Sequence, residues 1–413
     1  MKKATLLLTM LVIILSISIV TVTVRNEKNV ILKGSSENVP IINVTQYPGE
    51  TDAEKIQNAL NAVPPEGAIV FIPEGTWEAC NLTAKSNTWI MGTNRTVIKR
   101  PANTTLPIIK FINCTNFSVS YVIIDGQNVE EARGIYVINC TNFSVYNNTF
   151  INIKKTAIRV VGCSENFAIK SNIFEHCNDA TILLFGSPST RIIRNFRIEN
   201  NTLLNGEKNG KIGVAFSTNG IITKNKVINC EYGIATRNVS NITIIENEII
   251  NSSSYAIYLG TQICDPGTDN IFIGKNQIIN CQIGIARYYG EYPIKNVTVE
   301  SNIIIKSKEW DIYDDFPAFF VNNTITSIDK LKILTPASKF IKNKDINQTL
   351  IQPGDVDGNN IIDISDVSQV AIAYGKDSEN GQEWNPSLDI IQDGKIDISD
   401  VSFVAANFGT SGE

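Results

Sequence analysis

Four stretches decide the fold: IITKNKVINC at 221–230, ITIIENEIIN at 242–251, IFIGKNQIIN at 271–280 and VTVESNIIIK at 297–306. Each alternates apolar and polar residues and is rich in β-branched side chains, the pattern of a short strand. Helical periodicity is absent. Each also carries the same marker, Asn followed two residues later by Ile, Leu, Val or Phe. The marker stands at Asn148, Asn172, Asn201, Asn225, Asn247, Asn276, Asn302 and Asn323, spaced 21 to 29 residues apart. A repeat of this length built from short strands suits one coil of a parallel β-helix, and about ten coils fit between 107 and 327. Neighbouring coils lie about 4.8 Å apart, so a recurring Asn forms a ladder in which each amide can bond the next coil. A leucine-rich repeat needs Leu at fixed positions, and here Ile and Val dominate.

An open coil end exposes strand edges, so the domain needs a cap. DAEKIQNALNAV at 52–63 supplies a helix, with Asp52 as N-cap and Ile56, Leu60 and Val63 on one apolar face. PPEGAIVFIPEGTW then turns into the first strands. This opening, with NTWIMGTNRTVIKR after it and VIIDGQN later, resembles the pectate-lyase-like superfamily of right-handed parallel β-helices over roughly 48–330. The resemblance implies an all-β solenoid. It also implies that polysaccharide, if handled, lies on the outer face of one sheet.

Seven strands open successive coils: GIYVI, AIRVV, TILLF, GIATR, AIYLG, GIARY and DIYDD. The second residue is Ile in each and should point inward. Alternation then turns Tyr136, Arg159, Arg237, Tyr258, Tyr288, Tyr313 and Asp315 outward. Aromatic and Arg side chains in one stripe suit sugar stacking and carboxylate pairing. An ordinary solvated strand face shows the same residues, so both readings stay open. Two inserts, 262–270 and 287–293, fall in successive coils and should wall a groove, with Tyr289 and Tyr292 in it.

Catalytic residues are harder to find. Glycoside hydrolysis generally needs two facing carboxylates. Asp179, Asp311, Asp314 and Asp315 are the candidates, three of them at one end of the stack. The motif set of polygalacturonases is missing. A uronate lyase would use Arg or Lys as base, and Arg159 is a candidate without a paired Asp cluster. His176, the one histidine, reads as structural. Nothing suggests a Ser-His-Asp triad, a phosphate loop or a zinc site. Cysteines follow the repeat: Cys177, Cys230 and Cys281 each lie five residues after a marker Asn, and Cys114 and Cys140 occupy identical INCTNFSV strings. Buried thiols are expected for most, with Cys114 and Cys140 as the pair best placed to bond.

The last sixty residues change character. IDISDVSQVAIAYG at 362–375 and IDISDVSFVAANFG at 396–409 match at ten of fourteen positions, and each ends an acidic 12-residue loop. Such a loop offers a hard cation oxygens at positions 1, 3, 5, 7, 9 and 12. The first supplies Asp355, Asp357, Asn359, the Ile361 carbonyl, Asp363 and Asp366. Asn360 at position 6 tolerates the left-handed region the turn demands. The second supplies Asp389, Asp393, the Lys395 carbonyl, Asp397 and Asp400, but Ile391 at position 3 cannot ligate. Calcium is the expected cofactor, stronger in the first loop. The duplicated half EF-hand, with Asp at position 12 and no preceding helix, resembles a type I dockerin, a small α-helical module. That resemblance implies a cohesin-like partner, read by Ile364 and Ser365 and by Ile398 and Ser399. Both repeats carry the same pair, so two docking orientations related by a half-turn follow.

The N-terminus, MKKATLLLTMLVIILSISIVTVTVR, places two lysines before an apolar run from Ala4 to Val24. This reads as a signal peptide or an uncleaved membrane anchor. Sixteen N-x-S/T sequons fit a secreted or cell-surface location. The net charge of −5 hides a balance of −10 in 351–413, so the rest is weakly basic and no run suggests nucleic-acid binding. The expected organisation is a leader at 1–25, a linker at 26–47, the β-helix at 48–350 and the dockerin-like domain at 351–413. Three functions follow: a polysaccharide lyase or O-glycosyl hydrolase displayed on a scaffold, a non-catalytic glycan-binding module, or a structural cell-surface assembly protein.

Overall fold

The computed structural model of the chain describes residues 39–102, 104–187, 192–206, 208–261, 267–287, 290, 292–379 and 384–411. The predicted leader at 1–25 lies outside them, as do Tyr288 and Tyr289 and residues 262–266 of the first insert. Residues 40–413 form one compact unit. It is a right-handed parallel β-helix of about twelve turns. Strand pairing is parallel throughout, apart from Asn343–Asp345 against Leu350–Ile351 at the far end.

Each full coil lays one strand on each of three sheets. In sheet one the inward isoleucines stack in register, from Ile135 through Ile158, Ile182, Ile212, Ile234, Ile257 and Ile285 to Ile312. All are buried. The seven strands aligned by sequence are therefore neighbours, with one more, Ile212–Ala215, between TILLF and GIATR. Sheet two stacks Phe117, Phe143, Phe167 and Phe196 with ring centroids 4.8, 4.5 and 5.9 Å apart. The stack stops at Gly220, whose missing side chain leaves the space that the Phe196 ring fills.

The marker asparagines form the third column, at the corner before sheet three. Asn225 Nδ2 donates to Asn247 Oδ1 at 3.0 Å, and Asn247 Nδ2 to Asn276 Oδ1 at 2.9 Å. The same oxygens accept the backbone N–H of the previous Asn. Each Nδ2 also reaches a carbonyl one coil back, as Asn247 does to Ile222. The ladder extends one rung beyond the sequence marker, to Asn343. Its neighbours Lys344 and Asp345 hide it from the Asn-x-apolar pattern. Other asparagines serve the tight corners, where Asn219, Asn241 and Asn270 hold positive φ and bond one another outside the coil. Asn tolerates that region better than other residues with a Cβ.

Three boundary and bonding expectations need correction. The solenoid begins before 48, since Ile41–Asn43 already pairs with Ile69–Phe71. Helix α1, Asp52–Asn61, is capped by Thr51 in a capping box with Glu54. Asp52 instead accepts the Glu78 N–H at 3.1 Å. Cys114 and Cys140 are free thiols, with the Cys114 N–H on Cys140 Sγ at 3.3 Å, and Cys80, Cys177, Cys230 and Cys281 are free as well.

The C-terminal segment is not a pendant. Helices α2, Ile364–Ile372, and α3, Ile398–Ala406, pack beside each other and close the last coil. Phe403 of α3 meets Phe340 of the solenoid with centroids 6.0 Å apart. Buried Asn407 donates to the Ser338 carbonyl at 3.1 Å and accepts the Phe340 N–H at 3.4 Å. Gln392 reaches the Leu331 carbonyl at 3.2 Å. These bonds satisfy an edge that would otherwise be open. No helix among the described residues is long and apolar enough to cross a membrane.

Candidate functional site

The outer face of sheet one is interrupted at its middle. Strands Ile212–Thr223 and Ile234–Ile245 run unbroken from sheet one around the corner into sheet two. In the coils on either side the outward side chains are larger, so the outer face of these two strands is a shallow cleft between them. Its floor is small: Gly213, Ala215 and Ala235 take outward positions. Leu183 and Phe185 stand on one side in register, and Tyr258 on the other.

Polar groups gather along this cleft. Lys211, just before its strand, places Nζ 4.8 Å from the Tyr232 ring centroid. Its ammonium also donates to the Asn209 carboxamide oxygen. Asn209 is fixed by two acids: its Nδ2 donates to Asp179 at 3.0 Å and its backbone N–H to Glu231 at 2.6 Å. Burial pulls the Lys211 amine down to about 8; Asp179 and Glu231 oppose this, and Arg237 reinforces it. Arg237 sits on the outward column between Ala215 and Gly260. An amine that is partly neutral at mildly alkaline pH, beside a guanidinium, can accept a proton while a carboxylate is held.

The sequence-derived stripe divides. Tyr136 and Arg159 pair with each other, the guanidinium 5.8 Å from the ring, one end away from the cleft. Tyr258 faces outward but is only 4% exposed, because Tyr232 and Tyr255 pack edge-on against it at 5.5 and 5.9 Å. It is thus a wall and not an open stacking platform. Tyr313 is half-buried two coils further on, and Tyr288 lies outside the described residues. Asp179 belongs to the Lys211 cluster. Asp315 lies at the far end, accepting the Arg287 N–H at 3.1 Å, and burial pushes its carboxyl up to about 6.

Asp314 points inward, fully buried on the Ser338 hydroxyl at 2.9 Å, and burial keeps it protonated well above the ordinary range. Asp311 is buried too and accepts the Ser307 and Thr326 N–H groups. Neither faces Asp315 across a groove. Sequence reasoning missed Lys211, Asn209, Glu231 and Tyr232. The available signal was KIGVA at 211–215, a coil-opening strand left out of the alignment.

A second cluster lies in the C-terminal loops. Carboxylate oxygens of Asp355, Asp357 and Asp366 converge within 4.8 Å of one another. Backbone N–H groups hold them: Gly358 and Asn360 donate to Asp355 at 2.9 and 2.8 Å, and Val356 and Asp363 to Asp366 at 2.7 and 2.8 Å. Asp366 is fully buried without a cationic side chain, and burial raises the Asp355 carboxyl. Asn360 adopts φ +67°, the left-handed turn the loop needs. Asn359 turns its Oδ1 to the Ile361 N–H, and Asp363 caps α2 through Ser365. Three hard carboxylates, Asp366 buried, Asp355 half-buried and Asp357 exposed, in a turn-shaped cradle fit a calcium-sized cation.

The second loop has the same frame. Asp389 accepts Asp393 and Gly394 N–H groups, Asp393 that of Lys395, Asp400 that of Ile391, and Asp397 caps α3 through Ser399. Ile391, however, is turned into the core. Ile364 and Ile398 are about two-thirds exposed at the starts of α2 and α3.

A family model described as periplasmic copper-binding protein (NosD) matches residues 90–263. No curated protein matches the chain. Among solved structures, PfbA, a surface adhesin of Streptococcus pneumoniae, aligns with TM-score 0.56 and 15% identity over 74% of this chain and 88% of its own. Endo-xylogalacturonan hydrolase of Aspergillus tubingensis gives 0.55 and 15% over 75% and 94%. The A-module of mannuronan C-5 epimerase AlgE6 of Azotobacter vinelandii gives 0.54 and 16% over 74% and 93%. At such identities the likeness shows the shared β-helix fold.

Proposed function

We propose that this is an extracellular or cell-surface, carbohydrate-associated β-helix protein that takes acidic polysaccharide in the cleft of sheet one. The observation that carries the reading is that Lys211 and Arg237 stand at the two ends of adjacent strands within electrostatic reach of each other, with the small residues Gly213, Ala215 and Ala235 between them. A guanidinium balances a sugar carboxylate, and a partly neutral amine can remove the proton beside it. This favours polysaccharide lyase chemistry over glycoside hydrolysis, for which the described carboxylates are wrongly placed. The structural neighbours support the reading by class, since they include a surface adhesin and two polysaccharide-active enzymes.

The test is incubation with uronate polymers and neutral polymers in parallel. Unsaturated products, read by ultraviolet absorbance, should arise from a uronate polymer and vanish in Lys211→Met. Retention of uronate polymer without any product would replace the lyase with a binding module. Neither retention nor product on a broad panel would end the reading.

The C-terminal module is proposed to load calcium in the first loop and to attach the chain to a cohesin-type partner. The buried Asp366 carboxylate, held by backbone N–H groups, and the exposed Ile364 and Ile398 support this. The oxygen donors suit calcium and not copper, which prefers imidazole and sulfur. Calcium-dependent capture of a cohesin module is expected, lost in the double variant Asp355→Ala, Asp366→Ala. Capture that persists in chelator would overturn it.

A further inference from the structure

The corner between sheets three and one carries an outer ladder of asparagines at positive φ. Asn280 donates to Asn251 at 2.7 Å, Asn251 to Asn229 at 3.0 Å and Asn229 to Asn205 at 3.1 Å. In the next coil the ladder position is occupied by His176, also left-handed at φ 52°, and in the one after by Asn152 at φ 58°. His176 is the single histidine of the chain. Imidazole cannot continue a carboxamide ladder, so the stack breaks there. A cavity of about 260 Å³ opens at the break, lined by Asn128, Asn152, Lys154, His176, Asn178 and Asn205.

The lining is donor-rich. Asn178 is only 7% exposed, yet its carboxamide bonds no protein atom among the described residues. Asn205 accepts from Asn229 but finds no ladder acceptor for its own Nδ2. Lys154 takes part in no ion pair, whereas its neighbour Lys155 is held by Glu131 at 2.8 Å. Two carboxylates stand near: Glu175, 3.8 Å from His176 Nε2, and Asp125, which takes Asn152 Nδ2 at 3.3 Å. Asp125 also accepts from the Gln127 backbone N–H and side-chain amide, so Lys154 and the amides of Asn178 and Asn205 are the lining groups left for a guest. Amides that line this space without a protein partner are open to a polar guest.

We infer that this corner pocket is a binding site for an anionic group of a carbohydrate, a carboxylate or a sulfate, held by Lys154, His176 and the surrounding carboxamides. Amide oxygens on Asn128 and Asn178 can accept the neighbouring sugar hydroxyls. The site is separate from the cleft of sheet one and does not depend on the reading given to that cleft.

The single histidine makes the experiment direct. The imidazole signals of the full chain are followed by proton–nitrogen NMR during titration with glucuronate, sodium sulfate, glucose and sodium chloride at constant ionic strength. A saturable shift with glucuronate, with sulfate or with both is expected, and none with glucose or chloride; the active arm identifies the anion. Lys154→Ala should weaken that titration about tenfold, the loss of one charge-assisted hydrogen bond. His176→Asn should rebuild the ladder, keep or raise the melting temperature and lose the heat of anion binding in calorimetry. No saturable shift with either anion, an equal shift with glucose, or unchanged binding in His176→Asn would overturn the inference. Polymer turnover in Lys211→Met is read separately, so the cleft and the pocket fail independently.

Discussion

Lys211 shows how one residue acquires a property its type does not have. Its amine is drawn down to about 8 because the coil buries it against Tyr232. A base whose folded pKa is depressed costs stability below that pKa, and the cost fades as pH rises toward the unfolded value. Lys211→Met should therefore be more stable than wild type by about 1 kcal/mol near pH 6 and gain nothing near pH 10, by denaturant melts. Asp315 behaves with the opposite charge. Its carboxyl is raised to about 6, so the folded state binds the proton more tightly and stability falls as pH rises from the unfolded value through 6. Asp315→Asn should recover roughly 1 kcal/mol above pH 7, a figure already reduced for its partial solvent access. Both sign and pH window are checkable by the same melts.

The element that matters most is the inner Asn ladder. Each rung bonds both neighbours, so deletion of one leaves three coils affected. In Asn247→Ala the Asn225 N–H and Nδ2 lose their acceptor, and the Ile222 carbonyl and Asn276 Oδ1 lose a donor. Unsatisfied buried polar groups make such a loss worth about 3 kcal/mol or more, against about 1–2 kcal/mol for an outer-ladder variant such as Asn241→Ala, whose cost is that of placing Ala at positive φ. Chemical denaturation of the two variants side by side tests the contrast. The difference lies in solvent: water replaces the missing amide outside the coil and cannot do so inside.

At the scale of the whole molecule, the end of the solenoid and the C-terminal module share one interface. Phe403 of α3 and Asn407, the residue that caps its C-terminus, make most of it. Under the calcium reading, cation binding should therefore raise the melting temperature of the β-helix itself, by mass action on a cooperative cap. Asn407→Ala should uncouple the two, leaving a solenoid transition that no longer responds to calcium while calorimetry still detects the ion. An identical calcium response in wild type and Asn407→Ala would show that the interface transmits nothing.

The sequence by itself determined the solenoid, the coil register and the acidic loops. These follow from local periodicity: an Asn that recurs every coil must stack once strands pair in parallel, and ladder positions repeat in the chain as they repeat in space. Even Ile391 announced its departure from the loop pattern, since an alkyl group cannot ligate. The tertiary structure alone decided the cleft, the burial of Tyr258, the inward turn of Asp314 and the closure of the last coil by α3. Each depends on which residues of separate coils become neighbours and on how much water the packing excludes. Lys211, Asn209, Glu231 and Asp179 span more than fifty residues of chain and share no motif. Only the winding of three coils brings an amine, two acids and a tyrosine ring to one corner, where burial gives that amine its altered affinity for a proton.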